Sequence, residues 1–241
     1  MIFPGYLTVV LTGIIVIFIS KILDILWARM VTIRSIYHIV RAPGIVIHEC
    51  SHVLGCLLTG AKVKNVVLLS KEGCSVTYSP SPIPFLGEVL INTAPLFCIP
   101  LALFGCTWIF STYLGCVIPA LPSAIDSVDT LALLGTQISA MFTANLICHF
   151  NAWFLLYLYL TISLVLSLAP SRQDMKNAAL GIVIIVSLGM FIIWSNFAPA
   201  VNFLDTLINF VGISFALGLG FGVIALVVSL PLVILYISRH R

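Results

Sequence analysis

Charge is what this sequence lacks most. Asp, Glu, Lys and Arg together make up 8% of the 241 residues, whereas soluble domains contain about a quarter. Hydrophobic residues make up 61% of the chain. This composition excludes an ordinary soluble domain and favours a chain that lies in a lipid bilayer. The few positive charges are also scattered along the chain, which argues against nucleic-acid binding.

Paired cysteines are missing as well. The chain has seven cysteines, an odd number, and contains no C-x-x-C motif. This excludes a disulfide framework and a zinc knuckle built from thiolates. Most of these cysteines lie in apolar runs, where we expect buried thiols. The first apolar run, residues 7–20, has no basic segment before it, so we expect a retained span and not a removable signal.

The apolar runs predict an all-α polytopic membrane protein. A hydrocarbon core about 30 Å thick needs roughly 20 apolar residues per helix. Pro43 and Gly44 are predicted to open the second span and Gly60 to end it. Gly218 and Gly222 in the last span predict close helix packing, within the same chain in preference to dimerisation. About six spans are expected in one domain, at residues 7–28, 43–60, 86–118 (kinked by its prolines), 150–169, 176–195 and 207–237.

Residues 131–169 contain no Asp, Glu, Lys or Arg, and would form roughly 58 Å of helix at 1.5 Å per residue. Loops with Lys and Arg (61–84 and 170–177) are predicted to be cytoplasmic, and loops with only Asp (119–130 and 196–205) to face the other side. This alternation requires an odd number of crossings within 131–169. We therefore expect one span there, together with a re-entrant or surface-lying helix.

Residues 61–84 differ from the rest of the chain. AKVKNVVLLSKEGCSVTYSPSPIP mixes β-branched residues, lysines, glycine and prolines. Two short strands near 62–69 and 74–78, joined by a turn at KEG, are predicted. A small β-element is therefore expected between the second and third membrane helices.

Within the apolar runs, polar and ionisable residues are most concentrated in IVIHECSHVLG, residues 45–55. His48 and His52 are four residues apart, so a helix places both imidazoles on one face, where they can share a metal ion. Glu49 lies next to the first histidine and can act as the general base for a zinc-activated water. Ionisable groups at membrane depth cost on the order of 2.5 to 3.5 kcal/mol each and usually mark function. The alternative is that neighbouring helices hydrogen-bond these side chains in uncharged form.

A catalytic zinc ion commonly has three protein ligands and one open position. We predict Asp174, in APSRQDMKN, as the third ligand, because Pro170 breaks one apolar run there before another helix begins. Ser171 and Asp174 also fit a capping box that starts a helix, and the two roles are compatible. His149 and Glu88 remain alternative ligands, although each is more often structural at such a position.

These motifs resemble the site-2 protease family of intramembrane zinc metalloproteases. The resemblance rests on P-G-x-x-x-H-E-x-x-H in an apolar helix, a strand-rich loop, NTAPL entering the next span, and a later aspartate before a helix. It covers roughly residues 40–185. It implies that Zn²⁺ is bound by His48, His52 and Asp174, with Glu49 as the catalytic base.

The resemblance also concerns the substrate. It implies that the β-element at 61–84 receives an extended peptide by strand addition, and Asn92 in NTAPL is similar in place to an asparagine near the family's active site. The chain differs from the family pattern at the aspartate, which Met175 follows where the family has glycine. No inserted PDZ-like or CBS-like domain is visible.

The expected function is hydrolysis of peptide bonds in or near the transmembrane segments of a membrane protein or peptide substrate, toward the cytoplasmic side of the bilayer. The alternative is a non-catalytic zinc-binding membrane protein, either a pseudoprotease scaffold or a transporter. A transporter would line a path through several helices with polar residues, and Asn145, His149 and Asn151 are the few candidates. A different zinc protease type, with a glutamate ligand, would use Glu88.

Overall fold

A computed structural model describes residues 2–31, 33–68, 74–83, 85–121 and 127–239. Within these ranges the chain forms eight α-helices, one π-helix and a two-stranded sheet. In chain order these are α1 (Ile2–Met30), α2 (Arg34–Thr59), β1 (Val63–Val67), β2 (Ser75–Tyr78), α3 (Leu86–Thr93), α4 (Pro95–Tyr113), α5 (Val128–Phe142), the π-helix (Thr143–Cys148), α6 (Ala152–Leu166), α7 (Arg172–Ser195) and α8 (Ala198–Arg239).

Five segments are long and apolar enough to cross a membrane, so the chain is a mainly helical, multi-pass membrane protein, as the composition predicts. They are Gly5–Met30, Arg34–Thr59, Leu86–Tyr113, Arg172–Ser195 and Ala198–Ser238. The remaining predicted span, residues 150–169, corresponds to α6, which has 15 residues. A helix of that length is roughly 22 Å long, shorter than the hydrocarbon core. The count of six therefore stays a prediction.

The predicted start of the second span at Pro43 is wrong, because α2 begins earlier and continues through the proline. Proline has no N–H to donate to the carbonyl of Ile39, one turn before it. The Tyr159 hydroxyl of α6 donates to that carbonyl instead, at 2.8 Å. The next N–H, that of Gly44, donates to Ser163 Oγ at 2.9 Å. Side chains of α6 thus replace the bonds that the proline disrupts.

Helices α2 and α6 contact each other closely because one residue has no side chain. A Cβ on Gly44 would overlap the Ser163 carbonyl, so only glycine permits this approach. Ile39 contacts Tyr159, and Gly44 contacts Ser163 one turn further along both helices. The residue numbers rise together, so α2 and α6 run in the same direction. The predicted single crossing within residues 131–169 would require α2 and α6 to run in the same direction.

The loop predicted at 196–205 is also wrong in extent, because α8 already begins at Ala198. Asn196 adopts a left-handed conformation with φ 52° and ends α7. Pro199 lies in the first turn of α8, where a missing N–H costs little. With 42 residues, α8 is roughly 63 Å long and exceeds the thickness of the hydrocarbon core.

The packing predicted for the glycines of the last span is confirmed. A Cβ on Gly218 would lie 3.1 Å from Val16 Cγ1, and one on Gly222 would lie 3.2 Å from Ile19 Cγ2. Both glycines therefore let α8 contact α1 of the same chain. The largest apolar core lies between α1, α4, α5, α6 and α8, and its fully buried side chains include Leu23, Leu103, Leu134, Phe154, Tyr157 and Phe221.

The third predicted span is interrupted at a proline. Ala94 lies in a turn between α3 and α4, and Pro95 occupies the first turn of α4. The helix ends at Tyr113 and not at 118, because Gly115 adopts a left-handed conformation with φ 65°. Helix α6 begins and ends within three residues of the predicted 150–169 span.

The predicted β-element is confirmed as a two-stranded antiparallel hairpin. Val66 pairs with Val76 and Val67 with Ser75. The predicted KEG turn, residues 71–73, lies outside the described residues. The hairpin therefore follows α2 directly and precedes α3, which places it next to the helix that carries the two histidines.

Candidate metal centre

The structure brings His48, His52 and Asp174 together. The two histidines lie one turn apart on α2, and their Nε2 atoms are 3.2 Å apart. Asp174, in the first turn of α7, places Oδ2 3.6 Å from His48 Nε2 and 3.7 Å from His52 Nε2. The candidate ligand atoms all lie within 4.8 Å of one another. Two separate membrane helices thus direct three donor atoms at one point.

Backbone carbonyls hold both imidazoles in one orientation. His48 Nδ1 lies 2.6 Å from the Ser167 carbonyl, and His52 Nδ1 lies 2.8 Å from the Ile91 carbonyl. Because a carbonyl only accepts, each Nδ1 carries a proton, so that in the neutral imidazole each Nε2 has a lone pair for a metal ion. This is the arrangement that metal-binding histidines usually have. The donor set therefore fits a metal ion.

All three side chains are largely removed from solvent. The relative exposures of the His48 and His52 side chains are 12% and 7%, and that of Asp174 is 14%. Two imidazole nitrogens and a carboxylate in a shielded place are typical ligands of a catalytic zinc ion. These residues could therefore hold a metal ion, whose identity the geometry does not fix.

Asp174 also caps its own helix. The Ser171 N–H donates to Asp174 Oδ2 at 2.7 Å, and the Asp174 N–H donates to Ser171 Oγ at 3.1 Å. Both bonds of the capping box are therefore present. They fix the carboxylate at the start of α7, and the same Oδ2 atom faces the imidazoles.

Glu49 and His48 line a large cavity of about 1120 Å³. The cavity lies between α1, α2 and the segment that joins α6 to α7. Within the described part of the chain, no hydrogen bond ties the Glu49 carboxylate to another residue. A carboxylate in that position can exchange a proton with a molecule in the cavity.

The two alternative ligands lie elsewhere. Glu88 accepts a hydrogen bond from the Tyr78 hydroxyl at 3.0 Å and is not part of the three-residue group. His149 is exposed at the end of the π-helix. Among the described residues, only Asp174 provides a carboxylate to the two histidines.

A second polar cluster contains Asn92 and Glu88, which the sequence analysis names, together with Tyr78 and Asn177, which it does not. The Asn92 amide donates to the Glu88 carbonyl at 2.7 Å and to the Tyr78 hydroxyl at 3.1 Å. Asn177, one turn after Asp174 on α7, donates to Asn92 Oδ1 at 3.4 Å. Burial raises the pKa of Tyr78 to about 12, and the nearby Glu88 carboxylate acts in the same direction.

This cluster, which we call the Tyr78–Asn177 cluster, joins the hairpin to α3 and α7. It surrounds a smaller cavity of about 320 Å³, which β2, Glu88 and Asn177 line. The peptide carbonyl that fixes His52 belongs to Ile91, the neighbour of Asn92. The cluster therefore fixes the position of α3 next to the candidate metal ligands.

Comparisons with protein-family models, with curated proteins and with solved structures find no match to this chain. The fold and the site thus define a class on their own: a multi-pass membrane protein with a candidate His-His-Asp metal centre between two helices. A more specific function depends on the chemistry that this centre can perform.

Proposed function

We propose that the protein is an intramembrane zinc endopeptidase of the site-2 protease type. It hydrolyses peptide bonds in or near transmembrane segments of membrane protein or peptide substrates. The observation that carries this proposal is the convergence of His48, His52 and Asp174 within 4.8 Å, with Glu49 adjacent. The lysines and arginines of the loops at 61–84 and 170–177 favour a cytoplasmic position for the site.

The three ligands leave room for a reacting molecule. Three protein donors to a tetrahedral ion leave one open position. When bound, zinc supplies Lewis acidity and lowers the pKa of a water molecule to about 7. The cavity beside His48 gives such a water, and a substrate, a route to the centre.

Glu49 supplies proton transfer in this mechanism. Its carboxylate accepts a proton from the attacking water and delivers it to the amine that leaves. Its position supports the role: it follows His48 directly and lines the same cavity. The carbonyls of Ser167 and Ile91 hold the imidazoles still during the reaction, because each binds an Nδ1 proton.

Metal content is the first test. The purified full chain in detergent micelles should contain one zinc ion per molecule by mass spectrometry of the metal. His48→Ala and Asp174→Ala should each lose it, because two donors hold zinc far less tightly than three. His149→Ala serves as the matched control and should retain it. Zinc loss in Glu88→Ala would instead indicate a glutamate ligand.

Turnover is the second test. Glu49→Gln should keep the zinc and cleave a co-expressed single-span membrane protein at least about a hundredfold more slowly, because general-base catalysis is lost. Glu88→Gln makes the same substitution at a glutamate outside the three-residue group and serves as the control. Cleavage by Glu49→Gln at the original rate would contradict the mechanism. A zinc-loaded wild type that cleaves nothing would favour a scaffold or a transporter.

A further inference from the structure

The large cavity lies on one side of the candidate metal centre. On α2, its lining residues begin at His38, continue through Arg41 and Ile45, and end at His48 and Glu49. These positions recur every three or four residues, so they form one face of the helix. No lining residue of α2 follows Glu49. A molecule in the cavity therefore extends from the metal ligands toward the start of α2.

Basic side chains dominate the charged lining of this cavity. Lys21 comes from α1, Arg41 from α2 and Arg172 from the first turn of α7. The acidic lining residues are Asp24 and Glu49. Asp24 is already engaged, as described below, and Glu49 belongs to the catalytic group. The cavity therefore offers more positive charge than its own acidic residues neutralise.

Asp24 is bound by two neighbours. Its Oδ1 lies 3.2 Å from Arg41 Nε and accepts a hydrogen bond of 2.7 Å from the Tyr37 hydroxyl. Lys21 and Arg172 have no acidic partner among the residues that the structure describes. Arg41 donates through Nη1 to Tyr37, and the guanidinium carries five N–H groups. Donor capacity thus remains at all three cations.

We propose that this cavity binds a carboxylate of the substrate peptide, within about three residues of the bond that is cleaved. The inference rests on the proposed peptidase function. From Arg41 to His48 is two helical turns, roughly 10 Å at 1.5 Å per residue. An extended peptide advances about 3.3 Å per residue, so three residues cover this distance. The carboxylate would come from an Asp or Glu side chain or from the C-terminus of the peptide.

A peptide fits the cavity better than a lipid headgroup does. The cavity shares His48 and Glu49 with the candidate metal centre, so whatever fills it is next to the reacting atoms. Charge-assisted hydrogen bonds from Lys and Arg are the strong ones for a carboxylate. In this position they would align the peptide bond as well as bind the substrate.

The side of the metal centre on which the Ile91 carbonyl fixes His52 has a different charge. There, the smaller cavity is lined by Glu88, Tyr78 and Asn177 and contains no basic side chain. A substrate carboxylate is attracted to one side and repelled from the other. The preference for an acidic group should therefore appear on one side of the scissile bond only.

A cleavage profile tests the substrate preference. The zinc-loaded full chain is incubated in micelles with a mixture of synthetic apolar peptides, half of them amidated at the C-terminus, and the cleaved bonds are identified by mass spectrometry. Asp or Glu should be enriched roughly tenfold at a position one to three residues from the bond, on one side. If the C-terminal carboxylate is the group that binds, cleavage should instead concentrate one to three residues from the free C-terminus, and amidation should abolish this preference.

Variants assign the preference to the cavity. Lys21→Gln and Arg172→Gln should each reduce the enrichment to about threefold or less, since each removes one charge from the lining. Lys64→Gln and Arg34→Gln are matched controls, because both residues are exposed and lie outside the cavity. An equal preference in all four variants, or a wild type that prefers neither an acidic side chain nor a free C-terminus, would overturn the inference.

A binding measurement separates this inference from the proposed function. Fluorescence anisotropy of zinc-loaded Glu49→Gln should show roughly tenfold tighter binding of an Asp-containing peptide than of its Asn counterpart. Peptide cleavage with no such difference would refute the carboxylate site alone. The difference without any cleavage by the wild type would refute the peptidase alone. A difference that vanishes when anionic lipid is added would indicate a lipid headgroup and overturn the inference.

Discussion

Two helix pairs of this protein differ in how their backbones are held. In the pair α2–α6, hydroxyl groups of one helix bond to the backbone of the other: Tyr159 to Ile39 and Ser163 to Gly44. In the pair α1–α8, aliphatic side chains lie against glycines, as Ile19 does at Gly222, and the hydrogen bond from Trp27 Nε1 to Ser229 Oγ joins two side chains and no backbone atom. The first pair carries the candidate metal ligands, and the second carries none of them.

The difference shows what a metal centre requires of its scaffold. Apolar side chains on glycine provide attraction but tolerate small displacements, because dispersion has no preferred direction. Hydrogen bonds to backbone atoms have defined lengths and angles, so they fix the rotation and axial position of a helix. Helix α2 needs that precision because the groups of a metal site must be held within about 0.5 Å of their productive positions.

The largest effect should come from filling the α2–α6 contact. In Gly44→Ala the new Cβ would overlap the Ser163 carbonyl, so the helices must move apart. We expect the free energy of unfolding to fall by about 3 kcal/mol and zinc binding to be lost. SDS titration in mixed micelles and metal analysis measure the two quantities.

Gly105→Ala is the matched control for this change. Gly105 also lies inside a helix, α4, but a Cβ there would meet nothing within 4 Å. Alanine is the better helix former by roughly 1 kcal/mol, so this variant should be as stable as the wild type or more so. If both variants had the same free energy of unfolding, the close contact at Gly44 would not contribute to stability.

A clash in the other pair should affect stability alone. In Gly222→Leu the side chain would collide with Ile19, since even a Cβ would lie 3.2 Å from its Cγ2. We expect a loss of about 2 kcal/mol in the free energy of unfolding. The zinc content should stay at that of the wild type, because α1 and α8 provide no ligand. Loss of zinc in this variant would show that both pairs position the site.

Removing the capping box of α7 should lower stability less and should mainly weaken zinc binding. Ser171→Ala removes the hydroxyl that accepts from the Asp174 N–H, which should cost about 1 kcal/mol. Because Asp174 is then less firmly placed, we expect zinc to bind about tenfold more weakly. Competition with a chelator of known affinity measures the change.

A second capping box provides the control. Ser127 caps α5 with the same pair of bonds to Thr130, away from the three candidate ligands. Ser127→Ala should lower stability by a similar amount, about 1 kcal/mol, and leave the zinc affinity unchanged. An equal loss of zinc affinity in both variants would mean that general destabilisation causes it.

The sequence predicted the parts of the site that depend on local spacing. His48 and His52 share a helix face because they are four residues apart, and Ser171 and Asp174 form a cap because they are three apart. The prediction of Asp174, and not Glu88, as the third ligand depended on the break at Pro170, which is visible in the sequence itself. Membrane helices were predicted from the length of the apolar runs.

The parts that the sequence did not predict depend on tertiary contacts. Pro43 predicts a helix start because proline is tolerated at the first helical position, and nothing in the sequence shows that Tyr159 replaces the bond that a proline inside a helix loses. The carbonyls of Ser167 and Ile91 carry no side-chain signal at all. Lys21 did carry a signal, because a charge inside an apolar run usually marks function.

The smallest expected effect comes from removing the hydrogen bond that lets α2 continue through Pro43. Tyr159→Phe removes the donor to the Ile39 carbonyl and should cost about 0.6 kcal/mol, the average for hydrogen bonds between membrane helices. In Pro43→Ala the restored N–H can bond to the same carbonyl. Tyr159→Phe should then cost almost nothing in that background. Equal costs in both backgrounds would mean that the hydroxyl does not compensate for the proline, and that the apolar contacts of α6 keep α2 continuous.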